Sequence, residues 1–350
     1  MNTLSFLKKT PLERSLLLGF YGGGNYGDEL LMEVLAGLLR QQGVQDVQIA
    51  YQQPQHYFQF HHDFGYARIN MHDYRALLRA MLRRSHLIVG GGGLWGMDIN
   101  RNIVLMSVSL LVARLLGKRV YLLGVGYYNS TSRVGRLAAW CAAKAARVII
   151  ARDSETYTNF KRIQRHTYKD CDMAWYIDQL DLAAYEKDVA RIEQRLQIRG
   201  KTMFISLRRF RDTTQQSLER TVMSCIAANP TRHIVVALME PRHVDPEGYR
   251  LLKSWQHRYP HIQIIDFAFN PIGLFLFFRK YHDQLVFMGP QFHAILSAHL
   301  ARIPYLPVAY DNKVRNLLRH IAPEQTPLAV ESLRPLDIQR FIDSTMGEAA

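Results

Sequence analysis

The residues best placed to do chemistry in this chain lie between Gly289 and Lys313. A short apolar run, Leu285 to Met288, leads into Gly289-Pro290, and His293 then falls at what reads as the first turn of a helix. A histidine at a strand-to-helix turn occupies the place where open α/β sheets bind ligands, beyond the carboxyl ends of their strands. Its intrinsic pKa near neutrality lets it give and take protons at physiological pH. A second apolar strand is expected to end in Tyr310-Asp311-Asn312-Lys313, which supplies a cation suited to an anionic substrate.

Other strand ends carry further candidates. Gly22-Gly23-Gly24-Asn25-Tyr26-Gly27 satisfies G-x-G-x-x-G between a strand and a helix. The strand Val47 to Tyr51 is followed by Gln52-Gln53-Pro54, however, and not by the acidic residue that would hold a ribose. Asp28 and Glu29 at the helix start would repel a pyrophosphate, so a tight turn before an acidic helix is the simpler reading. Gly90-Gly91-Gly92-Gly93 follows another strand and removes four successive Cβ atoms, which lets a ligand or a neighbouring backbone approach closely. Arg208 and Arg209 end an apolar strand, and arginine presents a planar fork for carboxylate or phosphate. Arg152-Asp153-Ser154 reads equally well as an ion pair with a helix cap. The histidines His56, His61, His62 and His72 lack ligand spacing and read as surface or loop residues, so no metal site is expected.

The elements that must position these residues alternate regularly. Apolar strands at 15–20, 47–51, 86–89, 119–123 and 148–151 are separated by helices at 28–42, 73–84, 102–116 and 133–146. Short apolar strands alternating with amphipathic helices imply a buried parallel sheet covered on both faces. On the helix from Asp73, Tyr74, Leu77, Leu78, Met81 and Leu82 form one stripe, and Arg75, Arg79 and Arg83 another. A charged helical segment, 176–199, reads as the bridge into a second alternation of strands and helices. The expected fold is therefore α/β, with two Rossmann-like doubly wound domains facing a cleft (GT-B-like). The expected divisions are residues 1–178, residues 179–335, and a tail or closing helix at 336–350.

Composition narrows the partners. Forty-four basic against 30 acidic side chains give a formal charge of +14, which favours an anionic partner. The basic residues are scattered and form no nucleic-acid-binding motif, so nucleic acid is not expected. Three distant cysteines suit a reducing compartment. The chain shows neither a signal peptide nor a bilayer-length apolar run, so it is expected to be cytoplasmic, in peripheral contact with the inner face of the membrane at most.

The strings GFYGGGNYGDELL, GGGGLW and the block from His293 through Tyr310-Asp311-Asn312-Lys313 together resemble the polysaccharide pyruvyl transferase family. Its patterns there are N-x-G-D-E, G-G-G-x-L and R-x-H followed by Y-D-x-K, and the resemblance runs from Gly19 to about Ile321. The family's arginine is Gln291 here, a neutral amide where a charged fork is expected. The resemblance implies transfer of pyruvate from phosphoenolpyruvate to a sugar of a cell-surface polysaccharide or its precursor, lipid-linked precursors included, forming a ketal. It implies His293 and Asp28 as catalytic residues, with Asn25, Gly27, Gly91, Gly92, Gly93, Arg208, Gln291 and Lys313 lining the substrates. It requires no cofactor. A GT-B-like glycosyltransferase using a nucleotide sugar and a degenerate saccharide-binding family member stand as alternatives.

Overall fold

The computed structural model describes residues 1–52, 60–95, 101–128, 132–207, 213–309 and 312–347, with 213–217 described in backbone only. The chain divides into two compact units. The first comprises residues 1–23 and 28–182, and the second residues 24–27 and 183–350.

The first unit is built on β1 (Ser15–Leu18), β2 (Val47–Tyr51), β3 (Ala67–Asn70), β4 (His86–Gly90), β5 (Arg119–Val125), β6 (Ala146–Ala151) and β7 (Thr167–Lys169). They form one sheet in the order β3-β2-β1-β4-β5-β6-β7, and every pairing is parallel. The central strands β1 and β4 are buried along their whole length, as strands covered on both faces must be. The helices are α1 (Thr3–Lys9), α2 (Tyr26–Gln41), α3 (Tyr74–Arg83), α4 (Arg101–Leu115), α5 (Arg133–Ala145) and α6 (Ser154–Lys161). Ala80 and Met81 of α3, Leu110 of α4 and Ala142 of α5 share one core with Leu16, Leu87 and Val120 of the sheet.

The second unit repeats the plan with β8 (Thr202–Leu207), β9 (His233–Leu238), β10 (Ile262–Asp266), β11 (Leu285–Gly289), β12 (Tyr305–Ala309) and β13 (Leu328–Ala329). Their order is β10-β9-β8-β11-β12-β13, again parallel throughout. The helices are α7 (Glu186–Arg195), α8 (Thr213–Ala228), α9 (Pro246–Arg258), α10 (Pro271–Lys280), α11 (Phe292–Leu300), α12 (Asn312–Ile321) and α13 (Pro335–Met346). Local chemistry sets the starts of α9 and α10. Asp245 and Asn270 cap the first free N–H groups, and Pro246 and Pro271 fill first-turn positions that need no donor. Both sheets thus have the doubly wound order, in which the strand sequence reverses between β1 and β4 and between β8 and β11.

Several expectations need correction. The polar stretch before Asp73 contains β3, whose residues are half-buried or exposed and lack the apolar signal of a central strand. The elements α1, α6, α12, β7 and β13 are also absent from the expected set, and none is longer than 10 residues. The expected charged helix at 176–199 is two 3-10 turns, Met173–Gln179 and Leu182–Tyr185, followed by α7. Lys313 does not end a strand: β12 stops at Ala309, and Lys313 sits in the first turn of α12. Tyr310 and Asp311 lie outside the described residues. On α3 the apolar stripe is divided, with Met81 buried and Leu77 half-buried while Tyr74, Leu78 and Leu82 face solvent.

Candidate functional site

In the second unit the reversal of strand order falls between β8 and β11, and the loop after β11 carries Pro290, Gln291 and then His293. The two strands approach closely because Gly289 has no side chain: a Cβ there would lie 1.8 Å from Ser206 Oγ. Gln291 occupies the N-cap position of α11 without capping it. Its amide instead bridges to the end of β8. Ser206 Oγ donates to Gln291 Oε1 at 2.8 Å, and Gln291 Nε2 donates to the carbonyl of Leu207 at 3.0 Å. Both faces of the amide are therefore satisfied by the scaffold, which gives the neutral residue a structural task that a guanidinium could perform only in part. Nothing in the sequence marked Ser206 as that partner.

His293 is half-buried in the first turn of α11, and its ring rests on Gly27. A Cβ at Gly27 would stand 2.0 Å from Nδ1 and 2.6 Å from Cγ, so the imidazole occupies the space that any other residue would fill. The segment 24–27 is anchored by Tyr26. Its N–H donates to the Met239 carbonyl at 3.3 Å, and its ring meets Phe267 edge-on at 5.2 Å. Its hydroxyl shares a 2.7 Å hydrogen bond with Ser297, one turn after His293 on α11. Burial pushes the Tyr26 phenol well above its ordinary value, so it stays neutral. Asn25 closes the turn by accepting the Gly27 N–H on Oδ1 at 3.0 Å. Asn25, Gly27, Gln291 and His293 are thus all placed in this unit. Lys313 is half-buried on α12. Arg208 and Arg209 lie outside the described residues.

The first unit carries the remaining candidates at its own reversal of strand order. Gly90 closes β4, and Tyr21, just beyond β1, donates from its hydroxyl to the Gly90 carbonyl at 2.5 Å. Gly91 and Gly92 take positive φ values of 69° and 80°. The Asp28 carboxylate sits over Gly92, where a Cβ would meet Oδ1 at 3.2 Å. The Gly92 carbonyl accepts the Gly126 N–H at 2.8 Å, which ties this loop to the end of β5, beside Gly93. Asp28 and the Gly91–Gly93 run are therefore neighbours. Asp28 lies within the first turn of α2, which begins at Tyr26, two residues earlier than expected.

Glu29 belongs to the acidic helix start that favours a tight turn over a phosphate cradle. It is fully buried, accepts the Gly22 N–H at 3.0 Å, and pairs with His61 Nε2 at 3.0 Å. The Gly22 donor of the apparent phosphate cradle is thus already engaged by a carboxylate, consistent with a tight turn. His61 is buried, not superficial; its partner lies 32 residues away and left no local pattern. Arg152 forms a second buried cluster. It pairs with Asp172 at 3.0 Å and donates to the Tyr128 hydroxyl at 2.6 Å, while Asp153 caps α6 through the Thr156 N–H. Among the described residues, no group of three His, Cys, Asp or Glu side chains is arranged to hold a metal ion.

The sequence profile of the polysaccharide pyruvyl transferase family matches residues 25–312. No protein of curated function matches the chain in sequence. Among solved structures, it is similar to Anabaena HepE in complex with UDP-glucose, at 12% identity and a TM-score of 0.57 over 95% of this chain and 89% of that one. It is similar to the UDP-GlcNAc 2-epimerase of Methanocaldococcus jannaschii, at 12% identity and a TM-score of 0.65 over 95% and 92%. The UDP-GlcNAc-bound 2-epimerase of Neisseria meningitidis gives 11% identity and a TM-score of 0.55 over 95% and 100%. At these identities the likeness is one of fold, two Rossmann-like units of the GT-B type.

Proposed function

Because the chain belongs to the polysaccharide pyruvyl transferase family, we propose that it transfers pyruvate from phosphoenolpyruvate to two hydroxyls of one sugar in a polysaccharide or its precursor. The product is a ketal, and phosphate is released. The observation that carries this reading is the placement of His293 and Gln291 after β11, at the strand-order reversal where doubly wound sheets take their ligands.

The reaction sets three demands. The methylene carbon of the enol phosphate takes a proton, which leaves cationic character on the carbon bearing phosphate. A sugar hydroxyl attacks that carbon and gives up its proton, and the second hydroxyl displaces phosphate and gives up the other. One hydroxyl proton thus replaces the proton spent on carbon, and the second leaves with phosphate. In this reading His293 moves the proton at the reacting centre, held in place by Gly27 beneath its ring. Asp28 accepts a hydrogen bond from the sugar and orients it. Asn25 and the Gly91–Gly93 run line the substrates, with backbone open to close approach. Arg208 and Lys313 carry the positive charge for phosphate and carboxylate. Gln291 shapes the floor of the site through Ser206 and Leu207 and leaves that charge to them. The acceptors include lipid-linked sugars, and the reaction takes place in the cytoplasm, at the inner face of the membrane when the acceptor is lipid-linked.

A second reading, sugar transfer from a nucleotide sugar, rests on the fold shared with proteins solved with UDP-glucose or UDP-GlcNAc. Phosphate release from phosphoenolpyruvate, screened against nucleotide- and lipid-linked sugars, separates the two. Phosphate release by the wild-type chain, lowered roughly 10²–10⁴-fold in His293→Ala, is the expected result. A chain that neither binds nor turns over phosphoenolpyruvate but binds a UDP-sugar would overturn pyruvyl transfer in favour of the second reading.

A further inference from the structure

The helices α3, α4 and α5, which cover one face of the first sheet, present an outer surface unlike that of a solvated helix layer. On α4, Leu105, Val108, Val112 and Leu115 recur at helical spacing and are 42%, 46%, 48% and 79% exposed. They lie opposite the buried Ile103, Ser107 and Leu110, so α4 is apolar on both its inner and its outer face. On α3 the exposed stripe is Tyr74, Leu78 and Leu82, and on α5 it is Val134, Leu137 and Trp140. The three stripes belong together: α4 packs against α5, and α3 and α4 share the walls of an apolar hollow of about 130 Å³, with Tyr74 and Leu105 among its lining residues. Single exposed apolar residues need no explanation, but three neighbouring helices with such stripes mark a surface that something covers.

Charge identifies what covers it. From Tyr74 to Arg147 the sequence holds twelve Lys or Arg and one acidic residue, Asp98. Arg75, Arg79 and Arg83 run along α3 beside its apolar stripe and are exposed, as are Arg101, Arg114 and Arg133. Lys144 lies one turn beyond Trp140, its ammonium 5.8 Å from the centre of the indole. A second copy of this chain is a poor occupant, because a two-fold contact would set this positive field against itself. Apolar stripes on convex helices, flanked by arginines and carrying a tryptophan, match instead the interface of an anionic bilayer.

We propose that the outer face of α3, α4 and α5 docks on anionic phospholipid, with the apolar stripes among the headgroups and the arginines against lipid phosphates. Leucines meet the acyl boundary while the long arginine stems reach outward to the charged layer. The docking rests on no assumption about the donor, so it stands or falls separately from pyruvyl transfer.

Vesicle flotation tests it, with neutral phosphatidylcholine alone and with roughly 30% phosphatidylglycerol, in about 50 mM salt. The wild type is expected to float with the anionic vesicles and to detach as salt rises. Leu115→Asp combined with Leu137→Asp should lower partitioning at least about tenfold, since two exposed apolar contacts become charges of the wrong sign. Arg75→Ala with Arg79→Ala and Arg83→Ala should lower it on the order of 100-fold, about fivefold for each charge lost. All the altered side chains are exposed, and unchanged melting curves serve as the check on folding. Wild-type protein that stays unbound on anionic vesicles overturns the proposal, and so do both variants floating as the wild type does. Self-association abolished by the leucine pair, without vesicle binding, would also overturn it and assign this face to a second copy.

Discussion

The imidazole of His293 lies on the Cα of Gly27, with Nδ1 only 2.0 Å from where a Cβ would stand. The glycine thereby fixes where the histidine sits, although 266 positions separate them in the chain. Tyr26 strengthens the arrangement by reaching Ser297 on the same helix, one turn beyond the histidine.

Gly27→Ala should therefore act on turnover more than on folding. The added methyl would have to displace the ring at its base, because Cγ and Cβ of His293 are also within 3.0 Å of the new atom. Misplacement of a catalytic group by about 1 Å can cost roughly 10²-fold in rate. Alanine would gain about 1 kcal/mol of helix propensity at the same time, which offsets part of the steric cost in stability. Steady-state phosphate release beside thermal melting checks this. Unchanged turnover would mean that Gly27 does not set the position of the reacting histidine.

Gln291 presents the converse situation, a residue whose amide is used up by the scaffold. Gln291→Leu removes the acceptor of the buried Ser206 hydroxyl and the donor to Leu207, and should cost about 1–3 kcal/mol of stability. Gln291→Arg retains a donor for Leu207 but offers Ser206 no acceptor, so its loss of stability should be smaller. The arginine should also tighten phosphoenolpyruvate binding, because it adds a charged fork beside His293. Calorimetric titration together with melting separates the two effects. Weaker binding by the arginine variant would argue against an anionic group at this position.

The alternation of strands and helices was legible because a strand buried on both faces must be almost wholly apolar. In the first half, the expected strands 47–51, 86–89 and 119–123 fall on β2, β4 and β5. The edges were not legible, since β3 is half exposed and β7 and β13 are only three and two residues long. The strand-to-helix position of His293 could be read from spacing. Its partner could not: Gly27 reads from its motif as lining the substrate, and its contact with the imidazole, like that of Gly289 with Ser206, exists only when distant strand ends meet. The burial of Glu29 under Gly22 and His61 was not legible for the same reason, because His61 lies 32 residues away in the chain.

Arg152 should be a stability-critical position of the first unit, although it touches no proposed substrate. It is 7% exposed and holds Asp172 and the Tyr128 hydroxyl, while Tyr128 donates in turn to Asp153. Arg152→Met leaves Asp172 buried without its cation, a loss of about 3–5 kcal/mol for pairs of this kind. Arg152→Met combined with Asp172→Leu removes both charges and should be markedly more stable than the sum of the single variants implies. Denaturant unfolding of the four proteins measures the coupling, and strict additivity would dismiss the pair as an energetic unit.

Stability should fall on mild acidification, and the histidines outside the proposed site are the cause. Burial, with Arg119 nearby, holds the His86 imidazole below its ordinary value, and burial with Arg199 does the same for His233. Burial also lowers His299, although Glu324 works against it. A lowered folded pKa means that the unfolded chain binds more protons in this range. The stability is thus fully present above the unfolded value of about 6.5 and is lost as pH falls through the lower folded values. On the alkaline side the sign reverses, since burial pushes the Tyr305 phenol up to about 12 and the unfolded phenol ionises near 10. The melting temperature should therefore be highest between about pH 7 and 9 and decline on either side. His86 stacks on Tyr121 with ring centres 5.9 Å apart, so His86→Phe keeps the contact and removes the titration. Its acid limb should be shallower than that of the wild type. An acid limb of equal slope in His86→Phe would show that this buried imidazole contributes nothing to the pH dependence.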